Sequence, residues 1–337
     1  MGRLPAGDNT GFKYLSIRDL VEKWDLQAVY DLMSRELGSS SGTVGEVCRY
    51  LLSSPGKGIR PLLVLISSGI SQLDKQSRVR LAAALETLHL ATLAHDDVLD
   101  KSMMRRGVPS INSRWDNNTA ILTGDFLFGK SLEMVQGLGE EVNRRFAGII
   151  IEVVSGEFQQ AETIFDSSLS IEAYKERISK KTASLISNCC AMAAVASGSF
   201  SGMVPYLERF GFYTGMAFQI QDDILDWCEE ERHLGKPVTH DLQQGVLTLP
   251  VLLALQLSRN RGKIAQIVAS QRISQEDLSF IKEELVRTGA LKLAGRTVFF
   301  YGRQAVKCLD FLPEANDRND LESLVRNILS KTSQKNL

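Results

Sequence analysis

Six aspartates set the chemistry open to this sequence. Asp96, Asp97 and Asp100 stand in HDDVLD, and Asp222, Asp223 and Asp226 repeat the spacing in QDDILD. On a helix, residues four apart share a face, so Asp96 and Asp100 point the same way with Asp97 beside them. Like charges so placed repel unless a cation lies between them. Oxygen-only donors suit a hard divalent ion such as Mg²⁺, which commonly bridges carboxylates to the phosphates of a substrate. One such set reads equally well as an exposed acidic helix end. Two sets, each closing an apolar helical stretch, argue for facing clusters that grip a diphosphate through several ions.

Positive charge occurs in matching contexts: Lys57 and Arg60 in SPGKGIRP, Arg105 and Arg106 in MRRG, Lys181 in KKTASL, and Lys236 in GKP. Arginine offers a planar fork to phosphate oxygens and lysine a point charge. Each alone is an ordinary solvated group; their placement beside glycine, proline and the aspartates is what counts. No Ser-His-Asp or Cys-His constellation is evident.

The elements that carry these residues read as helices. Ser16 and Asp19 predict a capped helix to about Glu36, GSSSGT at 38–43 a loop, and Thr43 with Glu46 a second capping box. Pro61 suits the first turn of a helix through LLVLISSGI. From Arg78 the pattern is helical through the first aspartates until Pro109 breaks it. No proline occurs between Ser110 and Val204, and CCAMAAVA reads as a helix buried on nearly all sides. Pro205 opens the helix with the second aspartate set, 235–245 is a loop, and helices start at Pro250 and after Ser274. Strand signals are scarce. The expectation is an all-α single domain over 15–330, with a flexible leader at 1–14 and a frayed tail at 331–337.

Composition narrows the function classes. With 337 residues, 44% hydrophobic and 23% charged, the chain can bury a sizeable core, and a net charge of −1 does not call for nucleic acid. Five cysteines without CxxC spacing read as buried reduced thiols. No apolar run has the length of a membrane span, and MGRLPAGDNTGFKYL resembles neither a signal, a transit peptide nor a myristoylation site. A cytoplasmic protein is expected.

In order along the chain, GKGIRP (56–61), ETLH (86–89), HDDVLD (95–100), RRG (105–107), GDFLFG (124–129), KTASL (181–185), FQIQDDILD (218–226), GKP (235–237) and DLQQGVLTLP (241–250) resemble the motifs of the trans-isoprenyl (polyprenyl) diphosphate synthases. The resemblance implies the isoprenoid synthase fold: ten or more helices in a single-domain bundle around a deep central cavity. It implies a homodimer that condenses isopentenyl diphosphate with an allylic diphosphate, head to tail, to an all-trans product. Asp96, Asp97, Asp100, Asp222, Asp223 and Asp226 would hold Mg²⁺, about three ions per active site. Arg105, Lys181, Gln219 and Lys236 would contact the allylic diphosphate. Lys57, Arg60, His89 and Arg106 would bind isopentenyl diphosphate, whereas out of context a lone histidine in an apolar helix is usually a core residue. Dipoles of Lys181, Thr182 and Gln219 would steady the allylic cation, shielded from water.

Relatives that stop at farnesyl or geranylgeranyl tend to carry a large aromatic just before the first aspartate set. Here stand Ala91 and Thr92, with Leu88 one turn deeper as a partial obstacle. The expectation is a hexaprenyl to decaprenyl product for quinone side chains, whose length would favour transient membrane contact. The alternative role for Ala91 is simple helix packing. Two departures stand out: Gly58 where the family usually has a basic residue, and WCEE after Asp226 where Gly-Asp is common. The rival readings are a farnesyl or geranylgeranyl synthase, a partner subunit of a heteromeric synthase, which would typically lose aspartates, and a class I terpene cyclase, whose second metal motif Asp222–Asp226 does not fit.

Overall fold

The structure is a computed structural model that describes residues 14–198, 201–228, 239–313 and 316–334. Ser16 and Asp19 form the expected capping box at the start of α1, Ile17–Lys23. The helix does not continue to Glu36. Asp25 turns left-handed at φ 51°, and α2 runs from Leu26 to Gly38. The second predicted box fails: α3, Gly42–Ser53, starts one residue before Thr43, and Ser41 caps it without a side-chain bond. The loop between them is correspondingly shorter than 38–43.

Helix α4, Ile59–Ile70, takes Pro61 in its first turn, where the missing N–H costs nothing. Next comes α5, Lys75–Leu99, which begins three residues before Arg78 because Asp74 accepts from the Ser77 N–H. Its stretch Leu81–Ala91 is buried, so the helix crosses the core and delivers its aspartates at its C-terminal end. Helix α5 ends there, not at Pro109. A two-stranded antiparallel ribbon follows, β1 (Met104–Arg105) with β2 (Val108–Pro109). Its turn residues Arg106 and Gly107 both have positive φ, 53° and 80°, the geometry of a tight hairpin. Arginine at such a position is uncommon, which is why the ribbon was not legible from turn residues.

After α6, Ile111–Arg114, the long helices α7 (Asn117–Val135) and α8 (Glu140–Glu162) lead to α9 (Ile171–Ile178). A π-helical turn, Ser179–Ala183, joins α9 to α10, Ser184–Ser197, whose Cys189–Ala194 are buried as expected. Helix α11, Val204–Cys228, carries the second aspartate set. The described part of the 235–245 loop contains a helical turn, α12, His240–Gln243. Then α13 (Leu249–Leu257), α14 (Arg261–Ala269), α15 (Gln275–Arg287, with the predicted Ser274–Asp277 box), α16 (Ala290–Leu309) and α17 (Asn316–Gln334) complete the bundle. Helix α17 runs four residues into the stretch that reads as a frayed tail.

The all-α expectation holds: helices α4, α5, α10 and α11 form the centre, with α7 against α5 and α16 against α11. All five cysteines are reduced. Among the described residues no helix is long and apolar enough to cross a membrane.

Candidate active site

The C-terminal end of α5 and the C-terminal half of α11 face one another across a cavity of about 220 Å³. Asp96 and Asp100 line it from one side, Asp222 and Asp223 from the other. Burial pushes Asp96 up to about 7, Lys181 opposing and Glu157 and Asp100 reinforcing the rise. Asp223 is also pushed up to about 7, by burial first and then by Asp241. Carboxylates are thus crowded together, Asp223 buried, Asp96 and Asp100 half-buried and Asp222 exposed, and every donor among them is a carboxylate oxygen. That donor set fits hard divalent cations such as Mg²⁺. Among the described residues no three such side chains converge as a closed metal cage, and Mg²⁺ ordinarily completes its shell with water and phosphate oxygens.

Two of the six aspartates turn away from the cavity. Asp97 is buried behind α5 and accepts from Arg105, Nε at 2.8 Å and Nη2 closer. It aims Arg105, which itself lines the cavity. Asp226 is buried one turn beyond Asp222, its backbone oxygen accepting from Thr239 N at 3.0 Å and its Oδ2 facing Asp241 N at 3.4 Å. It anchors the segment that brings Asp241 to the cavity wall. Asp96 and Asp100 share a face as their spacing predicts, whereas Asp226 does not follow Asp222 into the cavity.

The π-helical turn adds a further cation and a hydroxyl dipole. Lys181 and Thr182 lie in it, and both line the cavity. Thr182 Oγ1 donates to Gln219 Oε1 at 2.7 Å, and Gln219 Nε2 donates to Asp223 Oδ1 at 2.9 Å. Tyr174 completes the chain by donating to Asp223 Oδ2 at 2.5 Å. Close helix approach makes this possible, since a Cβ on Gly215 would meet Ala183 Cα at 2.6 Å.

A second cavity, about 310 Å³, opens beside the first and shares Arg60, Phe218 and Asp222 with it. Lys57, Arg60 and Arg106 line it with the buried Glu86. Arg106 crosses the Gly56 backbone so closely that a Cβ there would meet its guanidinium at 2.7 Å. His89 lines the first cavity, bonded to Arg60. Lys236 lies outside the described residues, as do the Glu-Glu of WCEE. Ala91 and Leu88 are fully buried and line neither cavity, whereas Thr92 lines the first and also an adjoining apolar groove with Phe128 and Val154.

Sequence reasoning missed Glu157, Gln160, Arg177 and Asp241, all on the cavity wall. Glu157 and Gln160 share a face of α8 at i, i+3, a signal hidden among ordinary amphipathic charges. Arg177 is buried and donates through Nη2 to the Leu247 carbonyl at 2.7 Å, pinning the chain beyond α12.

A sequence profile of the Polyprenyl synthetase family matches residues 42–285. The chain belongs to the polyprenyl synthetase family. It is 38% identical over 305 residues to heptaprenyl diphosphate synthase component 2 of Geobacillus stearothermophilus, covering 90% of this chain and 93% of that one. It is 34% identical over 307 residues to the nonaprenyl diphosphate synthase of Mycobacterium tuberculosis, covering 90% and 91%. A crystal structure of a polyprenyl synthase from Caulobacter crescentus, complexed with calcium and isoprenyl diphosphate, superposes with a TM-score of 0.89 at 29% identity over 95% of this chain and 99% of that one. Membership of the polyprenyl synthetases identifies the chain as a prenyltransferase that works on isoprenoid diphosphates, on the isoprenoid synthase fold.

Proposed function

We propose that this chain condenses isopentenyl diphosphate with an allylic diphosphate in repeated head-to-tail steps, giving an all-trans polyprenyl diphosphate of hexaprenyl to decaprenyl length for quinone side chains. The observation that carries the reading is the facing of Asp96 and Asp100 with Asp222 and Asp223 across one cavity, beside a second cavity rich in arginine and lysine. Long products are supported by the names of the heptaprenyl and nonaprenyl relatives.

Asp96, Asp100, Asp222 and Asp223 would hold about three Mg²⁺ ions, with Asp97 and Asp226 behind them. When bound, the metal neutralises the diphosphate and stabilises it as a leaving group. Arg105 and Lys181 meet the allylic diphosphate at the lip of the cavity; Lys236 is assigned to it from sequence alone. The Thr182 and Gln219 oxygens direct their dipoles at the developing allylic cation. Lys57, Arg60 and Arg106 seat isopentenyl diphosphate in the neighbouring cavity, so its double bond faces the reacting carbon. His89 holds Arg60 in place. The proton lost after bond formation passes to the departing diphosphate.

The enzyme acts as a cytoplasmic homodimer in this reading. Leu122 of α7 and Ile151 and Phe158 of α8 are each about two-thirds exposed, on the helices that flank the apolar groove. A heteromer is the second reading, because one relative is named a component 2.

Purified protein given Mg²⁺, labelled isopentenyl diphosphate and farnesyl diphosphate tests the proposal. Elongation is expected, with Asp96→Ala and Asp222→Ala each lowering the rate by roughly a hundredfold or more. Asp97→Asn should raise the KM for the allylic substrate through Arg105 while leaving the Mg²⁺ requirement unchanged. No elongation by this chain alone would favour the heteromer. Full activity in both alanine variants would end the metal assignment.

A further inference from the structure

Lys181 lines the cavity with Asp96 and Asp100, and its charge is already engaged. Its Nζ lies 2.8 Å from Glu157 Oε1, 2.9 Å from Oε2, and 3.3 Å from Gln160 Oε1. The side chains of Lys181 and Glu157 are 22% and 17% exposed, so water screens this pair weakly. Burial works to lower the Lys181 pKa, yet Asp96 and Glu157 together raise it. Asp96 is thus a strong electrostatic partner of the ammonium that Lys181 does not touch.

The backbone is arranged for the Glu157 contact. The π-helical turn between α9 and α10 carries Lys181 and packs against α8. There α8 presents Gly156, where a Cβ would meet the Lys181 backbone N at 2.6 Å. Only a residue without a side chain lets the two backbones approach this closely, and the next residue on α8 is Glu157. Without that carboxylate, the flexible four-carbon stem of Lys181 would settle on Asp96. An ammonium on Asp96 would occupy an oxygen that a divalent cation needs.

We propose that Glu157 is a positioning residue that holds the Lys181 ammonium off Asp96, keeping Asp96 open to the metal and Lys181 aimed at the allylic diphosphate. Gln160 supplies the second acceptor. The pair is formally neutral, so its benefit is orientation rather than added attraction for the anion. This inference rests on the prenyltransferase reading of the cavity.

Calorimetric titration of the full chain with inorganic pyrophosphate at fixed Mg²⁺ tests it, with isopentenyl diphosphate as the control ligand. Glu157→Gln should weaken Mg²⁺-dependent pyrophosphate binding roughly tenfold, as expected for a disturbed charge-assisted contact, with isopentenyl diphosphate affinity unchanged. In a Lys181→Met background the same substitution should change pyrophosphate binding less than about twofold, since residues acting through one another are not additive. Gln160→Met should show the same signature at smaller amplitude, and serves if Glu157→Gln fails to fold. Equal effects of Glu157→Gln with and without Lys181, or equal loss of both ligands, would overturn the proposal. Failure of the unaltered protein to bind Mg²⁺ and pyrophosphate would instead overturn the reading beneath it.

Discussion

Arg60 Nη1 lies 2.9 Å from His89 Nε2 in the wall between the two cavities. A guanidinium can only donate, so Nε2 accepts and the imidazole is neutral with its proton on Nδ1. Burial pushes the His89 pKa well below its ordinary value, and Arg60, Arg106 and Arg105 push it the same way. His89 therefore orients Arg60 as an uncharged acceptor and adds no positive charge of its own.

The neutral state of His89 has a pH signature. A histidine whose folded pKa is depressed stabilises fully above its unfolded value of about 6.5 and loses that contribution as pH falls toward the folded value. Below about pH 6.5 the unfolding free energy should therefore fall more steeply in the unaltered protein than in His89→Gln, by about 1 kcal/mol per pH unit. Urea unfolding across pH measures both slopes, and identical slopes would mean that His89 is charged in the folded state.

Asp223 gives the opposite sign. Burial, then Asp241, raises its folded pKa to about 7, so it is destabilising to ionise. Stability is present at acid pH and lost as pH rises toward 7 and beyond. In metal-free protein at about pH 8, Asp223→Asn should be more stable by on the order of 2 kcal/mol. Added Mg²⁺ and pyrophosphate should reverse the order, because only the carboxylate gains a cation. Thermal melts with and without the two ligands are the check, and a destabilised metal-free variant would contradict the electrostatic account.

Chain length should answer to Thr92 more than to Ala91. Thr92 lines the first cavity and the apolar groove beside it, while Ala91 is fully buried against the core. Thr92→Phe should shorten the product. Ala91→Phe should overpack the core and cost about 1–3 kcal/mol of stability, with the smaller effect on product length. Chromatographic sizing of the hydrolysed prenols, paired with thermal melts, separates the outcomes; a shortened product from Ala91→Phe alone would assign chain length to Ala91 instead of Thr92.

The departure at Gly58 has a structural cause. Gly58 is left-handed at φ 65°, and a Cβ there would lie 2.5 Å from Leu26 Cδ2. Restoring a basic residue with Gly58→Arg should cost about 2 kcal/mol or more, from the left-handed backbone and the clash together. Adding Leu26→Ala should recover part of the Gly58→Arg loss. Equal stability of Gly58→Arg and the unaltered chain in urea would remove this explanation.

Much of the fold is legible in the sequence because helices declare themselves locally. The apolar runs, Pro61, the Ser16–Asp19 and Ser274–Asp277 boxes and the proline-free middle all act within a few residues. The failures lie where a distant contact outweighs a local preference. Asp25 breaks a helix whose pattern continues, and Arg106 takes a turn position that favours asparagine or glycine. Arg106 Nη1 donates to the Ser54 carbonyl at 3.2 Å, a partner 52 residues away.

The candidate site divides along the same line. Residue types and spacing alone place two carboxylate sets and their attendant cations in the chain, and the repetition of the set argues for a hard metal, since like charges at helical spacing repel unless a cation lies between them. Spacing does not say which carboxylates face the cavity. Packing turns Asp97 to Arg105 and Asp226 to the first turn of α12, brings in Asp241, and sets Glu157 against Lys181 through the Gly156 contact. Those orientations depend on where helix ends meet other elements, and no local pattern along the chain encodes that meeting.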